Sequence, residues 1–315
     1  MPNPFKFLDS YSKEDREVYF GRDKEIEELY SKVRKSRLTL LYGLSGTGKS
    51  SLIRCGLANK FSDSDWFELY IRRGNNLMQS IRAAIENNAT TLIHKKTRLE
   101  DALHILYLDY FSPVYLIFDQ FEELFVSGSQ EEKIAFIDFL ASITTKEELN
   151  VNIIIVLREE YFTHLDDFED NIPSIFNNRM RLERMSFDTL VQVVDGITDK
   201  AGIEVQNKEK LIPNIIENIA DENRMVELPY LQVYLDKLNQ LAIQNNSKIF
   251  DKNLVDKVGK LDDVLGEFLE EQVAEIASEL GLPNKDEIWT VLKQLITTDG
   301  TKRPMSLDEL SVRLK

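Results

Sequence analysis

The sequence predicts an α/β fold with a parallel sheet, followed by a helical region. Apolar runs of five to seven residues recur between segments with helical spacing, and such near-continuous runs are typical of strands buried on both faces of a parallel sheet. One of these runs, residues 38–42, enters a glycine-rich loop that opens into a helical pattern. From about Ser186 the strand-like runs stop, so the second half of the chain is expected to be helical.

Composition and charge exclude several classes of protein. The chain has 315 residues, of which 43% are hydrophobic and 30% charged, as expected of a globular protein with two or three domains. The net charge of −15 argues against broad electrostatic binding to nucleic acid or to anionic lipid. No apolar run reaches the roughly 18 residues of a membrane span, and the first residues carry no signal-peptide core. With only one cysteine, Cys55, a reducing cytoplasmic setting is expected.

The first motif in the chain is the loop after residues 38–42. Gly43, Gly48, Lys49 and Ser50 fill the spacing G-x-x-x-x-G-K-[ST] of a phosphate-binding loop. Glycines let the backbone N–H groups approach an anion closely, and the following helix N-terminus adds a positive dipole end. We expect the Lys49 ammonium to reach the β- and γ-phosphates, and the Ser50 hydroxyl to bind Mg²⁺.

Four further strands are predicted, and two of them end in residues suited to nucleotide chemistry. The runs are at 66–71, 114–118, 151–157 and about 180–182. Asp119 follows the third strand and is expected to hold Mg²⁺ together with Ser50. Glu122 or Glu123 could orient or deprotonate the attacking water, and Arg158, after the fourth strand, could contact the γ-phosphate. Carboxyl ends of parallel strands share one edge of the sheet, so these residues should converge.

Other charged residues have weaker assignments. Arg179 could be an arginine finger for a neighbouring subunit, or a plain basic residue at a strand edge. The acidic run at 131–132 is expected to lie on a solvated helix face. Beyond Ser186, apolar spacing predicts helices through residue 246, one of them opening at Leu228-Pro229. The polar stretch 244–253 is the best candidate for a domain boundary, and three more helical segments follow it.

Together these motifs resemble the STAND class of signal-transducing P-loop ATPases, and most closely the bacterial group called novel STAND. The resemblance rests on the arm from Pro4-Phe5 into residues 19–26, an entry motif that in the family lies against the adenine, and on 43–51, 71–74, 116–125, 156–162, 228–232 and 298–304. Residues 71–74 depart from the family's Arg-Pro-Gly, with Arg73 in place of the proline. The resemblance implies that the phosphate-loop residues Ser45, Gly46, Thr47, Gly48 and Ser51 contribute to nucleotide binding. It also implies that the segment carrying Phe20, Gly21 and Arg22 lies against the adenine, with Pro229 packed near the base.

The resemblance further implies an architecture and a function. The expected domains are an ATPase core with an N-terminal arm and strand order 5-1-4-3-2 (1–185), a helical lid (186–250) and an incomplete winged helix (251–315). ATP and ADP with Mg²⁺ would act as a switch: ADP holds a closed monomer, while ATP, which is hydrolysed slowly, drives homo-oligomerisation. A sensor or effector would be fused beyond Lys315 or lie on another chain. Bacterial defence or transcriptional signalling follows from the resemblance alone.

Two alternatives remain open. The chain could be a DNA-associated AAA+ ATPase of the origin-binding type, although the last ten residues are not markedly basic, and nucleic acid is therefore not an expected partner. It could also be a scaffold that holds ADP permanently without hydrolysis. Neither a membrane partner nor a role in transport has a supporting motif.

Overall fold

The chain forms two compact units, Met1–Asp251 and Lys252–Lys315. The structure is a computed structural model in which residues 4–146, 149–281, 284–296, 303, 305 and 307–314 are described. None of the described helices combines the length and apolar character that crossing a membrane requires.

A five-stranded parallel sheet forms the centre of the first unit. Its strands are β1 (Leu38–Gly43), β2 (Phe67–Ile71), β3 (Val114–Phe118), β4 (Val151–Arg158) and β5 (Arg179–Arg181). They pair side by side in the order β2-β3-β4-β1-β5. This confirms the predicted order 5-1-4-3-2, read from the opposite edge.

Helices of the first unit pack on the sheet, and further helices follow its last strand in the sequence. They are α1 (Asp23–Lys35), α2 (Lys49–Ser51), α3 (Leu77–Asn88), α4 (Leu99–Tyr110), α5 (Glu123–Ser127), α6 (Gln130–Thr145), α7 (Asp166–Glu169), α8 (Phe187–Ala201), α9 (Lys208–Ile219) and α10 (Leu228–Gln244). Shorter 3₁₀ segments lie at Lys13–Val18 and Glu159–Leu165.

Both faces of the sheet are buried, as the near-continuous apolar runs predict. All five residues of β3 are buried. Successive side chains of a strand point to opposite faces. Accordingly, Leu116 and Phe118 pack in the core beneath α3, α4 and α6, whereas Tyr115 and Ile117 pack with α1 and the helix after the phosphate loop. This rigid centre fixes where the carboxyl ends of β1, β3 and β4 meet.

Local structure differs from the sequence analysis in the helical region and after the phosphate loop. Two short strands, β6 (Glu204–Val205) and β7 (Ile249–Phe250), pair in parallel. The first lies in the region read as helical, and the second lies in the polar stretch 244–253 read as a loop. Each has only two residues, which is too short for periodicity to reveal. The helix that begins at Lys49 widens into a π-helix at Leu52–Leu57 and ends in a 3₁₀ turn at Ala58–Lys60.

The expectation of a solvated acidic face at 131–132 is wrong for Glu132. This residue is only 5% exposed, and its carboxylate accepts hydrogen bonds from Arg73 Nε at 3.0 Å and Arg73 Nη2 at 2.8 Å. It also accepts one from the backbone N–H of Leu77 at 2.6 Å. Burial is possible because both carboxylate oxygens have charged or polar donors.

The second unit is a small helical assembly. It contains α11 (Lys252–Val258), α12 (Leu261–Glu279), α13 (Asp286–Gln294) and α14 (Leu307–Arg313). Val273, Ala277 and Ile288 form its buried cluster, against which Trp289 and Leu292 pack. The tail motif at 298–304 lies outside the described residues except for Arg303, and the incomplete winged helix stays a prediction.

Candidate nucleotide-binding site

A cavity of about 280 Å³ lies at the carboxyl edge of the central sheet. Its wall comes from the phosphate loop, the ends of β3 and β4, the N-terminal arm, α8 and the start of α10. Eleven of the predicted site residues line it: Phe20, Ser45, Gly46, Gly48, Lys49, Ser50, Ser51, Asp119, Glu122, Arg158 and Pro229. Five others lie outside the wall: Gly21, Arg22, Gly43, Thr47 and Glu123.

The glycines of the loop meet different requirements. Gly46 and Gly48 have φ of +72° and +88°, a conformation that side-chain-bearing residues rarely adopt. A Cβ at Gly46 would also lie 2.9 Å from a carboxylate oxygen of Glu227. Gly43 has ordinary φ, but a Cβ there would lie 2.4 Å from the carbonyl oxygen of Leu182. Gly43 is therefore required by its close approach to the chain after β5, while the other two shape the cradle.

Lys49 is held by its own loop. Its ammonium donates to the carbonyl of Gly43 at 2.8 Å and to that of Leu44 at 2.7 Å. Burial lowers the pKa of Lys49, and the nearby carboxylate of Glu122 acts in the opposite direction. Phosphate oxygens entering the loop would compete with the two carbonyls for this cation and would favour its charged form.

Ser50 and Asp119 meet across the phosphate loop. The Ser50 hydroxyl lies 3.1 Å from both carboxylate oxygens of Asp119, which is only 4% exposed. Arg72, after β2, forms an ion pair with the same carboxylate at 3.4 Å. A hydroxyl and a buried carboxylate are oxygen ligands of the kind that Mg²⁺ takes alongside phosphate. These two side chains therefore fit the metal of a Mg²⁺-nucleotide, and they would hold it.

Glu122 is a further carboxylate that lines the cavity, in addition to the proposed metal ligands Ser50 and Asp119. It accepts a hydrogen bond from the backbone N–H of Arg158 at 3.3 Å, and its Oε1 lies 3.1 Å from Arg158 Nε. Glu123 is the first residue of α5 and does not line the cavity. Arg179 is exposed, with its guanidinium 5.8 Å from the ring centroid of Phe162.

The segment 20–22 contributes one side chain to the cavity wall and two residues to its support. Phe20 lines the cavity. Gly21 packs against α8, where a Cβ would lie 2.6 Å from a methyl carbon of Val193. Arg22 is 2% exposed and donates to the carbonyls of Thr47 and Glu183, each at 2.9 Å. Its guanidinium thus ties the phosphate loop to the chain after β5, which is a positioning contact.

The resemblance placed the N-terminal arm against the adenine, but it singled out none of the arm residues before Phe20 that line the cavity. Residues 7–11 line the cavity, as does Gln232 of α10. The backbone N–H of Tyr11 donates to the Ser51 hydroxyl at 3.1 Å, and the Tyr11 hydroxyl donates to Gln232 Oε1 at 2.9 Å. The available signal was the concentration of aromatic residues in an arm without regular periodicity, which predicts burial without saying against what.

The helical region also touches the phosphate loop directly. The backbone N–H of Leu228, the first residue of α10, donates to the carbonyl of Gly46 at 3.1 Å. Glu227, one residue earlier, lies over the same glycine and forms an ion pair with Arg184 at 3.5 Å. The conformation of the loop and the position of α10 are thus mechanically linked.

The fold and the phosphate loop define a P-loop NTPase. The family model described as Novel STAND NTPase 1 matches residues 4–315, so the chain belongs to that family. No curated protein matches the chain.

Several solved structures share the fold. The ORC1 protein of Aeropyrum pernix in complex with DNA matches with a TM-score of 0.58 and 15% identity, over 94% of this chain and 77% of that one. The ORC2 protein of the same organism, in ADPNP–ADP complexes, matches with a TM-score of 0.57 and 16% identity, over 75% and 67%. A Walker-type ATPase of Pyrococcus abyssi matches with a TM-score of 0.55 and 18% identity, over 99% and 92%.

Proposed function

We propose that the chain is an ATP- and ADP-binding molecular switch with slow Mg²⁺-dependent hydrolysis and self-association in the ATP state. The observation that carries this proposal is the contact between the phosphate loop and α10. The backbone N–H of Leu228 donates to the Gly46 carbonyl. A movement of the phosphate loop when the phosphates change would therefore shift the start of α10.

Charge strengthens this coupling. Glu227 places a carboxylate beside Gly46 and forms a long ion pair with Arg184, at 3.5 Å. Arg184 also pairs with Asp221 at 3.7 Å, so Glu227 shares its counter-charge with a second carboxylate. Phosphate groups in the loop would repel the Glu227 carboxylate, and the repulsion grows with the charge of the nucleotide. ATP and ADP are therefore expected to favour different positions of the first turn of α10.

Each residue of the phosphate end has a role in the proposed hydrolysis. Lys49 would bind the β- and γ-phosphates, and Ser50 with Asp119 would hold the metal, which when bound neutralises developing phosphate charge. Glu122 would orient the attacking water, and Arg158 would contact the γ-phosphate. In the structure Arg158 instead pairs with Glu122. Slow turnover is consistent with a candidate base that is restrained by this cation.

The partners proposed for the switch are a second copy of the chain and an effector or sensor on a fused segment or a separate polypeptide. A DNA-associated role is the rival proposal, since one structural neighbour was solved in complex with DNA. The net charge of −15 disfavours it, because phosphate contacts of DNA-binding proteins are made by basic residues.

The first experiment identifies the resident nucleotide. Freshly purified protein is denatured and the released nucleotide is separated by chromatography, with Lys49→Ala as the test variant and Lys95→Ala, an exposed lysine away from the cavity, as the control. Stoichiometric ADP from the wild type and Lys95→Ala, and none from Lys49→Ala, is expected. An empty wild-type site that turns ATP over rapidly would contradict the closed resting switch.

The second experiment measures the mass of the assembly by light scattering with Mg²⁺-ATP, with ADP, and with ATP plus EDTA. A larger species only with Mg²⁺-ATP supports the switch. Permanently bound ADP with no turnover over many hours would favour the scaffold alternative. Salt-dependent binding to duplex DNA, unaffected by nucleotide, would favour the DNA-associated one.

A further inference from the structure

Gln232 is a buried polar residue that lines the cavity together with several apolar side chains. We propose that its side-chain amide donates a hydrogen bond to a ring nitrogen of the bound adenine, which makes it a base-recognition residue. The proposal rests on the nucleotide binding proposed above and adds the group that recognises the base.

The orientation of the amide is fixed by two donors. Gln232 is 7% exposed, and its Oε1 accepts from the Tyr11 hydroxyl at 2.9 Å and from the backbone N–H of Lys6 at 3.2 Å. Two hydrogen-bond donors can converge only on the oxygen end of an amide. The Nε2 end is therefore left as the free end of the side chain.

The nitrogen end has two N–H groups and, among the residues that the structure describes, no acceptor for them. A ligand that covers this donor must supply an acceptor, because a buried donor without one costs about as much as a lost hydrogen bond. Because Gln232 lines the cavity, a molecule in that cavity can supply the missing acceptor. This requirement points to a ligand atom with a lone pair and no hydrogen.

The wall of the cavity that Gln232 lines has the apolar surface that a heterocyclic base requires. Apolar side chains from residue 20, from α8 and from α10 contribute to it: Phe20, Val193, Ile197, Pro229 and Leu231. Apolar walls of this kind accept the faces of an aromatic ring, and a polar group among them fixes the orientation of the ring. Adenine carries ring nitrogens N1, N3 and N7 as acceptors, whereas N1 of guanine carries a hydrogen.

Tyr11 connects Gln232 to the helix that follows the phosphate loop. Its backbone N–H is bonded to Ser51 and its hydroxyl to Gln232, so one residue spans from the helix after the loop to α10. A nucleotide with phosphates at the loop would extend alongside this tyrosine, which places its base at Gln232. Sequence spacing could not show this arrangement, because Ser51 and Gln232 lie far apart in the sequence.

The test uses ADP and three analogues, 1-deaza-, 3-deaza- and 7-deaza-ADP, each of which lacks one ring acceptor. After any bound nucleotide has been removed, affinities are measured by calorimetry for the wild type and for Gln232→Met, which keeps the length of the side chain without its donor. One analogue should bind the wild type about tenfold more weakly than ADP. Gln232→Met should bind ADP about tenfold more weakly as well and should not distinguish ADP from that analogue.

Three results would overturn the proposal. The wild type could bind all three analogues as tightly as ADP, which needs no variant to fold. The penalty of the critical analogue could persist undiminished in Gln232→Met. Finally, Tyr11→Phe could abolish the penalty while Gln232→Met leaves it, which would assign the contact to the tyrosine hydroxyl.

Failure of this proposal is distinguishable from failure of the switch. Analogue discrimination depends only on equilibrium binding of ADP, whereas the switch is measured by assembly with Mg²⁺-ATP. Normal assembly without analogue discrimination would remove Gln232 from base recognition and leave the switch in place. A wild-type chain that binds no ADP would overturn both.

Discussion

Glu122 and Glu123 are neighbours in sequence with different surroundings. Glu122 lines the cavity and forms an ion pair with Arg158. A carboxylate and a cation thus lie together in the cavity that Ser50 and Asp119 also line. Glu123 starts α5 and is not part of the wall. The sequence left both residues as candidates for handling the attacking water, and their placement favours Glu122.

Glu122→Gln should therefore lower ATP turnover by at least about a hundredfold, because it removes the base and keeps the shape of the side chain. ADP affinity should change little, since the amide can still accept from the Arg158 backbone. Multiple-turnover phosphate release measures the first quantity and calorimetry the second. Glu123→Gln is the matched control and should retain wild-type turnover; the reverse pattern would transfer the role to Glu123.

The roles of Gly43 and Arg22 could not be predicted from the motif alone. Gly43 belongs to the phosphate-loop spacing, yet the atom that excludes a side chain there is the Leu182 carbonyl. Arg22 lies close to the cavity along the chain, yet it is buried against backbone carbonyls on the other side of the loop. Spacing locates a residue near a site, whereas the direction of its side chain depends on partners distant in sequence.

At the scale of elements, the Arg73–Glu132 pair joins the turn after β2 to the first turn of α6. The side chains of Arg73 and Glu132 are 13% and 3% exposed, and the same carboxylate also accepts from the first residue of α3. One buried carboxylate thereby fixes three elements that pack on the face of the sheet containing Leu116.

Glu132→Gln should destabilise the protein by about 3 kcal/mol, because it leaves the Arg73 guanidinium without its counter-charge in a buried setting. Urea unfolding followed by circular dichroism would show the loss as a lower midpoint with unchanged slope. The control is Glu131→Gln, one residue earlier and exposed, for which the midpoint should not move. Equal midpoints for the two variants would show that the pair contributes nothing to stability.

The sheet could be predicted from sequence because its strands carry a strong local signal. Residues 114–118 and 151–157 are near-continuous apolar runs, and each lies within a strand of the structure. The strand order came from the family resemblance, since apolar runs do not specify their neighbours. The two-residue strands β6 and β7 and the arm at 4–12 have no such signal. Their structure depends on contacts made between distant segments.

The candidate site divides in the same way. Its phosphate end was predictable, because glycine spacing, a lysine and strand-ending carboxylates are local features that phosphate chemistry requires. At the proposed base end the resemblance pointed to Phe20 and Pro229, which line the cavity, but not to Gln232, because that side chain acquires its orientation from Tyr11 and Lys6, more than two hundred positions away. Helical periodicity alone does not predict that Gln232 is buried, because its partners Tyr11 and Lys6 belong to the distant N-terminal arm.

At the scale of the whole molecule, every described residue that lines the cavity lies between Phe7 and Gln232, within the first compact unit. The second unit, Lys252–Lys315, has a separate apolar cluster around Val273 and Ile288. The described residues of the second unit therefore contribute nothing to the cavity wall. If residues 252–315 serve the switch, their removal should affect assembly and not affinity.

A chain ending at Asp251 should bind ADP as tightly as the whole chain. At ADP concentrations a hundred times the dissociation constant, both should gain about 2.7 kcal/mol of stability, because a ligand that binds only the folded state stabilises it by mass action. Thermal unfolding with increasing ADP measures this gain, and circular dichroism checks that the shortened chain is folded. Mg²⁺-ATP should no longer produce the larger species seen by light scattering. A folded chain 1–251 with weakened ADP binding would mean that residues 252–315 contribute to the site itself, and one that still assembles with ATP would place the self-associating surface in the first unit.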